Sequence, residues 1–327
     1  MLYELRKSED MSDLVPDGND VVGELVDLLL DRIRINKDLG QHFLTNEKIL
    51  QRAVEISGVG CDSHILEIGP GPGTLTHFLL ATGSKVTAIE FDGIVVEHLQ
   101  RVHSQAIEGG QLTLIEGDAL RVGWPKDLTH IVSNPPYQIS SPLLSKIDTW
   151  QNEARRRGDD ELESVVLLLQ DEFASRLAME FGIASRGPLG INTALNWDCS
   201  LDLKVPPHAF TPHPEVHSRL VFLKPRNLMK DLEIDVEPRL VKRIVDHAFA
   251  ERRRKMKNRL KGTPRKIERV PNWNRKSWRQ VADILLSGKE EIDLESGWED
   301  FRPEDLEVND WLILAQKFEH MNNELDE

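Results

Sequence analysis

His64-Ile65-Leu66-Glu67-Ile68-Gly69-Pro70-Gly71-Pro72-Gly73-Thr74 begins as a short apolar run and breaks into three closely spaced glycines. The run has the length and β-branched content of a buried strand. The glycines let the backbone turn sharply and approach a ligand at the N-terminus of the following helix. Alone, such a turn serves NAD, FAD and S-adenosylmethionine alike, or is purely structural. An acid about twenty positions further on, at the end of the next strand, would take ribose hydroxyls, and Glu90 in Ala88-Ile89-Glu90-Phe91-Asp92 stands there. After a third strand, Glu116-Gly117-Asp118-Ala119 offers Asp118 as acceptor for an adenine amine. Three strand ends thus carry ligand-type groups at the edge where open α/β sheets bind ligands.

Outward from this stretch, β-rich runs at 64–68, 85–89, 112–115, 130–132, 165–169, an interrupted segment near 192–205, and 219–223 alternate with helical patterns. Seven strands of this kind predict an α/β fold: a methyltransferase-type, Rossmann-like doubly wound sheet whose last strand enters antiparallel. After Pro225 the pattern changes to helical spacing at Val241, Ile244, Val245, Ala248 and Phe249. The expected division is an acidic N-terminal extension over 1–35, a methyltransferase domain over 36–226, and a small all-α RNA-contacting domain with an acidic tail over 227–327. Within the extension, Val22, Leu25, Val26, Leu29 and Ile33 predict a short amphipathic helix.

The 327 residues carry a net charge of −14, an odd value for a protein that meets nucleic acid. The acid lies at the ends. Residues 1–31 hold nine acids against two bases and 287–327 hold fourteen against three, which leaves 32–286 at +4. Within that middle, Arg252, Arg253, Arg254, Lys255, Lys257, Arg259, Lys261, Arg265 and Lys266 form a basic cluster opposed nearby only by Glu251, a candidate phosphate-binding surface. The most apolar early stretch, 21–33, is interrupted by Glu24, Asp27 and Asp31, too short and too charged for a membrane span or signal peptide, so a cytoplasmic protein with no membrane partner is expected. Cys61 and Cys199 lack CxxC spacing, and Pro214 between His213 and His217 breaks helical alignment, so no metal site is expected.

The fourth strand runs into Ser133-Asn134-Pro135-Pro136-Tyr137. An adenine exocyclic amine is a poor nucleophile because its lone pair is delocalised into the ring. The Asn134 side-chain oxygen and the Pro135 carbonyl can accept both amine hydrogens and localise that lone pair, with no strong base. Paired prolines stiffen the loop, and Tyr137 can stack on the base. A base entering such a pocket leaves any stack, so a second aromatic wall is expected, with Phe210 in Pro206-Pro207-His208-Ala209-Phe210-Thr211-Pro212-His213-Pro214 the candidate. The four residues by themselves are compatible with a DNA or an RNA adenine methyltransferase.

Together Gly40-Gln41-His42-Phe43-Leu44, the run from Glu67 to Gly73, Asn134 to Tyr137, the 205–218 segment and Ala248-Phe249-Ala250-Glu251-Arg252-Arg253-Arg254-Lys255 resemble the ribosomal small-subunit RNA adenine dimethyltransferase family, particularly its archaeal members. The resemblance spans roughly 36–265. It implies S-adenosylmethionine as cofactor, two methyl transfers onto each of two adjacent adenines in a loop near the 3′ end of small-subunit (16S) rRNA, the immature small ribosomal subunit as partner, and a role in its biogenesis. A monomer is expected. Carried onto this chain, His42, Leu44, Gly69, Glu90, Asp118 and Asn134 hold the cofactor, and Asn134, Pro135, Tyr137 and Phe210 serve the target base. His42 and Pro135 stand where the family often has Asn and Leu, changes that preserve the backbone groups. Gly187-Pro188-Leu189-Gly190 departs from the usual aromatic-Gly-Arg-Leu, and the acidic ends lie outside the common pattern.

Overall fold

The computed structural model describes residues 20–33 and 41–326. Strands β2 (His64–Ile68), β3 (Lys85–Glu90), β4 (Leu112–Glu116), β5 (His130–Ser133), β6 (Ser164–Gln170), β7 (Trp197–Val205) and β9 (Ser218–Pro225) form one sheet in the order β4-β3-β2-β5-β6-β9-β7. All neighbours from β4 to β6 run parallel, and β9 inserts antiparallel between β6 and β7. The expected seven strands and the antiparallel last strand are therefore present. The interrupted segment near 192–205 resolves into helix α8 (Pro188–Ala194) followed by β7. Every residue of β2 and β5 is buried, as the central strands of a sheet covered on both faces must be.

From β2 the chain steps outward through β3 to β4, and it then returns to β5 on the other side of β2. The order of strands reverses between β2 and β5, and the carboxyl ends of that pair open the crevice where such sheets bind ligands. Ser133 closes the floor of the crevice: its hydroxyl donates to the Ile68 carbonyl at 2.6 Å and accepts from the Ile68 N–H at 3.2 Å.

Helix α1 (Val21–Leu30), capped by Asp20, carries the predicted stripe: Val22, Leu25, Val26 and Leu29 are buried. Val26 and Leu29 pack with Phe43 and with Val95 and Leu99 of α4 (Gly93–Val102), so the described part of the N-terminal extension lies against the sheet domain. The rest of 1–35 lies outside the described residues, as does Gly40. A small second sheet pairs β1 (Phe43–Leu44) with β8 (Phe210–Thr211), bringing the segment before the first long strand onto the segment before the last.

The C-terminal unit packs α10 (Pro238–Phe249), α11 (Met256–Leu260), α12 (Arg275–Leu286) and α13 (Val308–Asp326) around Trp273, Trp278, Trp311 and Phe318. Trp278 stacks on Phe318 with ring centroids 4.6 Å apart. Ile191 and Leu195, from the sheet side of the expected boundary at 226/227, join this core, so α8 forms the seam. The acidic tail is partly structural, because Trp311, Leu312, Leu314, Ala315 and Phe318 of α13 are fully buried.

Candidate active site

A cavity of about 310 Å³ opens at the β2/β5 crevice, lined by the glycine turn, the ends of β3 and β4, the Gln41–Leu44 segment and the turn from Asn134 to Ile139. Gly69 and Gly71 have positive φ of 67° and 55°, conformations L side chains avoid. A Cβ on Gly71 would come within 3.0 Å of the Phe43 ring, so the turn is glycine because the β1 segment closes directly over it. Behind the turn, the fully buried His98 bonds through Nε2 to the Pro72 carbonyl at 3.1 Å, and burial lowers its pKa, keeping the ring neutral. Sequence reading missed this support, since a histidine on the inner face of a helix carries no distinctive signal.

Glu90 Oε1 accepts from the Phe91 and Asp92 N–H groups at 2.8 and 3.0 Å, and Oε2 accepts from the Gly71 N–H at 3.4 Å. Burial pushes its pKa up while these three donors oppose the rise. Asp118 is fixed by the Leu120 N–H at 2.9 Å and by Arg121 at 3.2 Å. Glu67, absent from the expected site residues, also lines the cavity. It is buried, accepts from the Thr76 hydroxyl at 2.7 Å, and burial raises its pKa to about 8. Its position as the acid just before the glycine turn was the available signal.

The Asn134 amide is oriented by one bond: Nδ2 donates to the His42 carbonyl at 3.2 Å, which leaves Oδ1 as the open acceptor. Pro135, Pro136 and Tyr137 follow along the cavity wall. The Tyr137 hydroxyl lies 2.5 Å from the Ser218 hydroxyl, and burial raises its pKa, so it stays a neutral phenol at neutral pH. The His42 ring stacks on Tyr137, centroids 6.0 Å apart at 23°, and its Nδ1 donates to the Pro212 carbonyl at 2.9 Å. His42, Leu44, Gly69, Glu90, Asp118, Asn134, Pro135 and Tyr137 are all brought to one cavity.

Phe210 is not brought there. Its backbone pairs with Leu44, and its side chain is fully buried in the core with Leu50, Val205 and Leu220. The expectation of a second aromatic wall at Phe210 is corrected: alternation along β8 turns that ring into the protein, and the ring that faces Tyr137 is His42. The 205–218 segment serves the site instead as a buttress, through the Pro212 carbonyl and the Ser218 hydroxyl.

The basic cluster is not a bare cationic surface. Arg252 pairs with Glu304 at 2.5 Å, Lys255 and Lys257 pair with Asp300 at 3.0 and 2.6 Å, and Arg259 and Arg254 pair with Glu251. Arg259 is buried and also donates to the His247 carbonyl at 2.6 Å, so it works as a structural residue. Among the described residues, no group of three or more His, Cys, Asp or Glu is placed to hold a metal ion, and no helix is long and apolar enough to cross a membrane.

A strand-order reversal that carries this cavity, with a helical unit appended behind it, defines a methyltransferase-class α/β protein. The chain belongs to the ribosomal RNA adenine dimethylase family, whose model matches residues 32–281. It is 38% identical over 228 residues to the ribosomal RNA small subunit methyltransferase A of Gloeobacter violaceus, covering 69% of this chain and 79% of that protein. It is 34% identical to the probable counterpart of the archaeon Methanopyrus kandleri, covering 70% and 77%. In structure it is similar to a dimethyladenosine transferase from Plasmodium falciparum, with a TM-score of 0.66, 24% identity, and coverage of 86% of this chain and 98% of that one. The 23S rRNA methyltransferase ErmE shares the fold at a TM-score of 0.57 and 23% identity, covering 85% and 99%.

Proposed function

We propose that this enzyme dimethylates the exocyclic amines of two adjacent adenines in a loop near the 3′ end of small-subunit rRNA, using S-adenosylmethionine, on an immature small subunit. The observation that carries this reading is the orientation of Asn134: with Nδ2 committed to the His42 carbonyl, Oδ1 is left to accept an amine hydrogen. An acceptor held there favours a nitrogen whose lone pair is no longer shared with the ring. Tyr137, neutral and tied to Ser218, offers a ring face for the base.

The donor set of the cavity suits the cofactor. The glycine turn lines the cavity, Glu90 offers a carboxylate to ribose hydroxyls, and Asp118 offers one to an adenine amine. His42 and Leu44 close the methionine end, and the Thr74 hydroxyl holds Leu44 by donating to its carbonyl at 3.1 Å. When bound, S-adenosylmethionine supplies a methyl group activated by its positive sulfonium. The protein's part is to exclude water, orient the base and polarise its amine.

Undermethylated small subunits incubated with the enzyme and S-adenosylmethionine, then analysed by mass spectrometry of the rRNA, should gain dimethyladenine with the native chain and none with Asn134→Ala. Methylation of duplex DNA in place of rRNA would overturn the reading.

A further inference from the structure

The loop between α7 (Asp171–Leu177) and α8 is held in an unusual shape. Met179 has a positive φ of 51°, costly for a side-chain-bearing residue, and it packs over Gly190, where a Cβ would lie 2.4 Å from the Met179 Cγ. At this reversal Glu180 folds back along the end of α7: it accepts from the Ser175 hydroxyl at 2.6 Å and lies 3.8 Å from Arg219. Phe181 and Ile183 are thrown outward, 69% and 53% exposed. Two arginines clasp the loop to the acidic segment of the C-terminal unit. Arg252 donates to the Ala184 carbonyl at 2.9 Å while pairing with Glu304, and Arg186 donates to the Asp305 carbonyl at 3.2 Å while pairing with Glu307 at 2.8 Å.

Arg219, next to Glu180, follows Ser218, whose hydroxyl holds Tyr137. Arg176 of α7, before the loop in the chain, and Arg253, next to Arg252, are exposed and without a carboxylate partner within ion-pair distance among the described residues. An exposed apolar, aromatic tip on a loop clasped by arginines is complementary to a nucleobase on a phosphate backbone, and an exposed aromatic with arginines at the same loop is suited to stack unpaired bases.

We propose that Phe181, with Ile183 beside it, is a stacking platform for an unpaired base of the RNA outside the cavity, which rests on the RNA substrate proposed above. The acidic extension acts here as the scaffold: Glu304 and Glu307 lie beyond residue 281, where the family match ends, and they hold the loop in its projecting form. The platform sets affinity for the RNA and takes no part in methyl transfer.

Steady-state methylation of undermethylated small subunits by full-length Phe181→Ala and Phe181→Tyr tests this. Loss of one stacked base predicts a KM for the subunit about tenfold higher in Phe181→Ala, with kcat and the Kd for S-adenosylmethionine unchanged. Phe181→Tyr, which keeps the ring, should restore KM to within about twofold. A normal KM in Phe181→Ala, equal defects in both variants, or a parallel loss of cofactor affinity would overturn the platform while native transfer leaves the proposed function standing. A native chain that methylates no rRNA sinks both.

Discussion

The rim of the sheet and the basic cluster of the C-terminal unit treat carboxylates in opposite ways. At the rim, Glu67 and Glu90 are taken out of water, and burial raises both pKa values, Glu67 to about 8. In the basic cluster, Asp300 remains in solvent, and its bonds to Lys257 and Lys255 lower its pKa. Desolvated acids are sensitive to what enters the cavity, because each new hydrogen bond or positive charge there acts in a low dielectric. Solvated, paired acids contribute little to stability. They set instead how much positive charge the basic cluster presents, and where the neighbouring loop stands. Function at the rim should therefore depend on individual atoms, and function at the basic cluster on summed charge.

Four substitutions test that contrast, beginning with the most severe. Asn134→Ala removes the oriented amide acceptor at the turn, and kcat should fall by about a hundredfold or more in single-turnover assays, with RNA binding retained. Gly71→Ala places a Cβ at 3.0 Å from the Phe43 ring on a backbone with φ of 55°. Titration calorimetry should show S-adenosylmethionine binding weakened by about tenfold, because the ring or the turn must shift.

Glu67→Gln sharpens the comparison through pH. The folded-state pKa is raised, so the folded protein holds its proton while the unfolded chain releases it, and stability from the neutral buried acid is lost as pH rises from about 4 towards 8. The native chain should melt at progressively lower temperature than Glu67→Gln across that range; parallel melting curves against pH would show that Glu67 is ionised in the folded state. Asp300→Asn releases Lys255 and Lys257 and is expected to have the smallest effect. Affinity for RNA should rise less than about tenfold, and the dependence of log K on log salt should steepen by about one to two contacts' worth. An unchanged salt dependence would place those lysines away from phosphate.

Much of the rim was legible because its signals are local. Gly69, Glu90, Asp118 and Asn134 each stand at the carboxyl end of a strand or within two residues of it, and a parallel sheet aligns its strand ends. Phe210 was misplaced for a related reason. It lies in a segment rich in proline, where neither periodicity nor spacing reveals which way a two-residue strand turns its side chains. His42's ring and His98 acquire their roles from partners at a distance in sequence: Tyr137 and Pro212 for the first, and Pro72 for the second. The basic cluster reads as strongly cationic in sequence because Asp300 and Glu304 stand more than forty residues away, and only folding sets them against Arg252, Lys255 and Lys257.

The order of strands and turns, the cofactor-type carboxylates, the Asn-Pro-Pro-Tyr turn and the helical character of the C-terminal unit were determined by the sequence alone, since each depends on residue types within a few positions of one another. The tertiary structure decided which ring faces Tyr137, that the Asn134 amide nitrogen is committed and its oxygen left open, that Glu67 is desolvated, and how much of the basic cluster is already paired. Those properties depend on burial and on contacts between residues remote in the chain, and neither has a local signature.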